Sequence, residues 1–207
     1  MAYDIETIKS DVSMLSVRDF YLKHIIRSDN WYFENILDIA PTGIIHVVDD
    51  FKAIISESLK ISFNSIIMVG SGKIGYSLSP TEKLFQPFND NEKVRKLSDV
   101  DIAIISDELF HKYWSLFRKS FKPRYKVFYP HIYQEIYRGY INERNILEVE
   151  GCRKEWTEIA SESKKSLYNN LYFKHEISYR IYRNWEDFEE YNLQSISKIK
   201  RGVECGI

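Results

Sequence analysis

Cysteine is nearly absent from the chain: two residues in 207, Cys152 and Cys205, far apart and without C-x-x-C spacing. That scarcity argues against a disulfide framework and a cysteine-ligated zinc site, and it fits a reducing, cytoplasmic setting. Long apolar runs are missing too, since no stretch approaches the roughly 18 residues a membrane-spanning helix needs. The opening "MAYDIETIKSDVSML" carries Asp4 and Glu6 where a secretory signal would place basic residues ahead of an apolar segment. Neither sign of charge is in excess, with 29 basic and 30 acidic residues and a net charge of -1. No broad field therefore draws in nucleic acid or anionic membrane, and any phosphate contact has to be local. The five histidines (His24, His46, His111, His131, His175) show no metal spacing such as H-E-x-x-H, and no G-x-S-x-G nucleophile elbow is present.

Apolar residues make up 44% of the chain, enough to fill a core, and aromatics alone reach 15%. Their first use is packing, because each buries a large area. The periodicity predicts helices within residues 1 to 38, interrupted at "RSDN", a turn at "APTG" (40–43) and a helix over 49–61. "SIIMVG" (65–70) reads as a buried strand feeding a loop, and "DVDIAIIS" (99–106) as a second strand. A helix over 107–121 has acids at its start and bases at its end, the order a helix dipole favours. Residues 123–170 read as mostly helical with a short strand at "NILEVE". A third strand lies in "LYFKHEISYRIYRN" (171–184), and Asn184 caps a closing helix. Between the first two strands, "YSLSPTEKLFQPFNDNEKVRKLS" reads as a long extended loop, a length usually tied to function or disorder.

"MVGSGKIGYS" (68–77) contains the spacing G-x-G-x-x-G through Gly70, Gly72 and Gly75. A dinucleotide fold would require the last glycine to open a helix, yet "YSLSP" follows it. A P-loop fails at two places, where Ile67 replaces the first glycine and Ile74 the hydroxyl residue. A third reading looks downstream, to Asp99 and Asp101 at the head of an apolar strand. Side chains two apart on a strand share a face, so these carboxylates lie side by side and repel unless a cation compensates them. Mg2+ is the natural compensation, because it is held by one or two carboxylates together with substrate phosphates. The backbone N–H groups of the glycine turn, the Ser71 hydroxyl and Lys73 then hold a triphosphate.

A strand ending in Gly-Ser, followed by a strand opening Ser-Asp-x-Asp, resembles the DNA polymerase β-like nucleotidyltransferase superfamily at "IIMVGS" and "LSDVDIAIIS". The resemblance covers residues 44 to 121 well and the remainder by element order. It implies an α+β fold: a small mixed sheet with helices on one face and the metals on the open face. The whole chain, 1–207, then forms one such domain, with residues 1–40 as a helical extension, 44–121 as the motif-bearing core, and 122–207 supplying helices and the third strand. Gly70 and Ser71 match the Gly-Ser motif, and Asp99 and Asp101 match the metal-binding aspartates. The superfamily's third carboxylate has no clear counterpart. Glu176 is the first candidate, ahead of Glu148 and Glu150, because alternation puts Glu176, Ser178 and Arg180 on the polar face of their strand. Arg180 and Arg183 are candidate phosphate contacts, and the long interval at 76–97 is an insertion placed to gate the site or touch the acceptor.

The resemblance implies transfer of a nucleoside monophosphate from a nucleoside triphosphate to a hydroxyl acceptor, with Mg2+ or Mn2+ as cofactor. Small bacterial members of the superfamily serve in toxin–antitoxin and antiphage defence. A closer resemblance, to the nucleotidyltransferases of the Hailong antiphage pair, implies template-free oligodeoxynucleotide synthesis and a membrane effector as partner. The candidate primer would be one of the chain's own tyrosines, among Tyr168, Tyr172, Tyr179, Tyr182 and Tyr191. The alternative is a catalytically degenerate domain that serves as an antitoxin, partnered by a toxin, or as a nucleotide-binding module.

Overall fold

The computed structural model describes residues 4–80, 83–91 and 97–205. Its helices are α1 (Ile5–Met14), α2 (Val17–Tyr21), α3 (Trp31–Asn35), α4 (Ile44–Leu59), α5 (Gly70–Ile74), α6 (Asp107–Lys119), α7 (Tyr129–Tyr137), α8 (Glu143–Glu148), α9 (Glu150–Leu171) and α10 (Trp185–Glu204). Four strands, β1 (Ile66–Val69), β2 (Val100–Ile105), β3 (Tyr140–Asn142) and β4 (Ile177–Tyr182), form one sheet in the order β1-β2-β4-β3. β2 and β4 run parallel, while the two outer pairings are antiparallel. The fold is therefore mixed α+β. Among the described residues, no helix is long and apolar enough to cross a membrane.

Local chemistry explains the helix starts. The Asp4 carboxylate accepts from the Thr7 amide, Ser106 Oγ from Leu109, and Asn184 Oδ1 from Asp187, each satisfying an N–H that has no partner inside the helix. α4 ends on Lys60 in the left-handed region at φ 54°.

Alternation divides the sheet into two faces. Ile66, Met68, Val100, Ile102, Ile104, Ile141, Ile177, Tyr179 and Ile181 turn to one side and join a core with residues of α4, α6 and α9. Aromatics fill much of it: Phe51 stacks on Phe173 at 5.7 Å, and Tyr32 meets Phe33, Phe88 and Phe173. The large aromatic share thus goes mainly into packing, as the composition suggested.

The other face is not open, contrary to the expectation of helices on one side only. Ala103, Ile105, Tyr140 and Tyr182 project there, and α1, α2 and α10 cover them through Ile8, Phe20, Phe188 and Ile196. Apolar residues at that end of β2 and β4 have to be shielded from water. The polar end, where Asp101 and Ser178 sit opposite each other, stays partly uncovered.

Two other expectations are corrected. "NILEVE" lies in α8 and the start of α9, not in a strand; Asn142 caps α8 by accepting from the Arg144 amide. The fourth strand is β3, three residues long, whose brevity leaves no alternation to detect. The described part of the long loop is tied down: Tyr76 bridges Pro87, the Phe88 amide donates to the Gly75 carbonyl at 2.7 Å, and Phe88 is buried in the aromatic core. Residues 81–82 and 92–96 of that segment lie outside the described ones.

Candidate active site

A cavity of about 830 Å³ opens on the second face of the sheet, between the polar ends of the strands, α10 and residues 77–80, 83–89 and 97–98. Gly70, Ser71, Asp99 and Asp101 all line it. Two motifs some thirty residues apart in sequence are thus brought to one wall. The pairing of β1 with β2 does this, because Val69 lies opposite Asp101 and the next residue is Gly70.

Gly70 has φ 69°, and a Cβ built on it would lie 2.5 Å from Asp101 Oδ2. Only a residue without a side chain permits both the left-handed backbone and the approach of the carboxylate. The other two glycines have separate reasons. Gly75 ends α5 at φ 85°, and a Cβ there would sit 2.8 Å from the Trp31 indole; Gly72 has ordinary room, with Met68 Sδ at 3.5 Å. The strand does not feed a loop as expected, since Gly70 opens the single-turn helix α5.

Ser178 Oγ donates to Asp101 Oδ1 at 2.7 Å and holds that carboxylate in place. Burial, and then the neighbouring Asp99 carboxylate, raise Asp101 above the ordinary carboxylate range, against the Ser178 hydrogen bond and the charges of Arg180 and Lys83. Excess negative charge at this wall disfavours ionisation. Asp99 is exposed and directly precedes β2; the Asn89 amide donates to Ser98 Oγ and the Ser98 amide to the Asn89 carbonyl, closing the loop base beside it.

The other expected residues fall elsewhere. Lys73 is buried and donates to the Arg27 carbonyl; burial lowers its ammonium to about 8, and it does not line the cavity. Glu176 is exposed, precedes β4 and does not line the cavity either, although its carbonyl accepts from the Val100 amide at 2.8 Å. Glu150 pairs with Arg124, and Glu148 lies on α8 away from the cavity. Arg183 is held by Asp187 at 2.7 Å and 2.9 Å. Tyr179 has its phenol hydrogen-bonded to Ser163 Oγ in the core, whereas Tyr168 and Tyr172 are exposed and do not line the cavity.

On β4 the positions sharing the face of Asp101 are Ser178, Arg180 and Tyr182, and all three line the cavity. Where a third carboxylate was sought there is a hydroxyl and a guanidinium. The alternation of β4 placed Arg180 on this face, but its burial could not be read without knowing that α10 covers the strand. Asn142, Asn192 and Ser195, which had no sequence signal at all, complete that side of the cavity with Tyr191, one of the candidate primer tyrosines. Among the described residues, no group of three or more histidine, cysteine, aspartate or glutamate side chains is placed to bind a metal. No family model, curated protein or solved structure matches the chain.

Proposed function

We propose that the protein is a metal-dependent nucleotidyltransferase built on a polymerase β-like core, in which Gly70 and Ser71 hold the polyphosphate of a nucleoside triphosphate and Asp99 and Asp101 hold a divalent cation. The observation that carries this reading is the fit of the bare Gly70 backbone against the Asp101 carboxylate on one cavity wall. The Asp101 carboxylate, whose proton affinity is raised, and the adjacent Asp99 carboxylate suit a hard cation, and Mg2+ needs no more than one or two carboxylates when phosphate oxygens complete its shell. Bound there, Mg2+ or Mn2+ would neutralise phosphate charge as pyrophosphate leaves.

The chain's own residues do the rest by positioning, which dominates phosphoryl chemistry. Gly70 lets the polyphosphate approach the backbone, Ser71 offers a hydroxyl donor, and Ser178 fixes the rotamer of Asp101. Lys83 and Arg180 bring positive charge to the same cavity.

One observation favours a second reading, a degenerate nucleotide-binding module: Ser178 and Arg180 stand where the resemblance expects a carboxylate. Incubation with each of the eight common triphosphates and Mg2+ or Mn2+ separates the two readings. The enzyme releases pyrophosphate with at least one of them and loses that activity on Asp99→Ala/Asp101→Ala substitution. A module binds triphosphate and releases none. The defence setting, synthesis primed on a tyrosine, and a membrane effector or toxin as partner rest on the sequence resemblance and are tested by intact mass after incubation and by the neighbouring genes.

A further inference from the structure

Arg180 is unusual among the cations of this chain. It sits on β4, its Nε is buried without a hydrogen-bond partner among the described residues, and its closest polar contact is a long one, from Nη1 to the Tyr182 hydroxyl at 3.4 Å. It forms no ion pair with any carboxylate among the described residues, although Asp101 is near enough for the two charges to be felt. Its guanidinium lies 4.9 Å from the Tyr191 ring and 5.3 Å from the Tyr140 ring. Burial raises the Tyr182 and Tyr140 phenols, so both rings stay uncharged at neutral pH. A guanidinium carries five N–H donors, and leaving one of them buried without an acceptor is costly. Flanking aromatic rings hold its plane while leaving donors for a ligand, which suits fork-like binding of a phosphate or carboxylate.

Its place in the sheet says which ligand. Gly70 follows β1, Asp101 is on β2, and Arg180 is on β4 opposite Ala103. Arg180 is therefore on the far side of Asp101 from the Gly-Ser turn, in a cavity that Asn192 and Ser195 of α10 also line. We infer that Arg180, with Asn192 and Ser195, forms an anion subsite for the acceptor, and that the acceptor bears a phosphate group. This rests on the transferase reading only for the word acceptor; the subsite itself binds phosphate whether or not transfer occurs.

The test is binding, by calorimetry, to the full chain with Mn2+ and a saturating non-hydrolysable triphosphate occupying the donor side. The probes are a nucleoside 5′-monophosphate, the matching uncharged nucleoside and a short oligodeoxynucleotide, the last two telling a phosphate group from a base and a small molecule from a nucleic-acid end. The monophosphate or the oligonucleotide binds wild type more tightly than the nucleoside does, and Arg180→Gln weakens that binding by about ten- to a hundredfold, the range of a charged hydrogen bond. Arg180→Lys recovers only part of it. Without ligand, Arg180→Gln melts no lower than wild type, because a half-buried cation whose Nε has no hydrogen-bond partner among the described residues has been removed. Three results overturn the inference: unchanged monophosphate and oligonucleotide binding in Arg180→Gln, a loss confined to the triphosphate analogue, or both variants failing to fold. Pyrophosphate release is read separately, so silence there with Arg180-dependent binding defeats the transferase reading alone, and the reverse pattern defeats the subsite alone.

Discussion

Substituting Gly70 by alanine tests the geometry of the site at its tightest point. The new Cβ would lie 2.5 Å from Asp101 Oδ2 and 3.3 Å from Asp101 Cβ and Cγ. That is short of ordinary van der Waals contact by roughly 1 Å, so the carboxylate has to move by about that much. A displacement of about 1 Å at a reacting centre costs on the order of a hundredfold in rate. The left-handed backbone at φ 69° adds about 1–2 kcal/mol of conformational strain for a residue with a side chain. Gly70→Ala is therefore expected to lose about 1–3 kcal/mol of stability and about a hundredfold in pyrophosphate release, measured as initial rates beside thermal unfolding. Two controls sit in the same decapeptide. Gly72→Ala meets only Met68 Sδ at 3.5 Å and Val100 Cγ1 at 3.7 Å, so both readouts stay near wild type. Gly75→Ala presses on the Trp31 indole at 2.8 Å and loses stability while its rate holds far better than that of Gly70→Ala. A folded Gly70→Ala protein as active as Gly72→Ala would refute the reasoning.

Other outcomes follow from the same structure. Asp101 is raised in the folded state, so its ionisation costs stability above its folded value, and the cost fades as pH falls toward the ordinary value of 3.8. Asp101→Asn accordingly unfolds at a higher temperature than wild type at pH 7, and the gap narrows on acidification. Lys73 is lowered to about 8 from 10.5, so wild type gains stability as pH climbs between those values; Lys73→Met lacks that rise and keeps its KM for triphosphate within about twofold. Glu143 is buried and accepts from Trp156 Nε1 at 2.8 Å, Lys164 Nζ at 3.2 Å and the Tyr179 amide at 2.9 Å. Glu143→Ala leaves these donors unmatched and lowers the unfolding free energy in urea by about 3–5 kcal/mol.

Three of the four strands were legible in the sequence because β-branched residues and alternation leave a local trace. Ile102 to Ile105 is apolar on both faces, and Ile177 to Ile181 alternates buried apolar or aromatic residues with the polar Ser178 and Arg180. β3 was hidden by its length, and "NILEVE" misled because Ile and Val also fit the buried side of α8 and α9. At the site, Gly70, Ser71, Asp99 and Asp101 were readable because adjacent strands bring strand ends together. Lys73 and Glu176 do not line the cavity, for two reasons. Lys73 was assigned by its nearness to the glycine turn, whereas the single turn of α5 swings it toward the Arg27 carbonyl; Glu176 was assigned by the alternation of its strand, whereas β4 starts only at Ile177. The α10 wall was invisible because no local pattern says which helix will close over a sheet.

The central claim is that the Gly-Ser turn and the aspartate pair form one cation-dependent polyphosphate site. Mn2+ binding followed by electron paramagnetic resonance, with and without a non-hydrolysable triphosphate, tests it most directly. The account predicts that the triphosphate tightens Mn2+ binding in wild type, and that Asp99→Asn/Asp101→Asn abolishes both the binding and the enhancement without loss of fold. Equal Mn2+ and triphosphate binding by the wild type and that variant would contradict it.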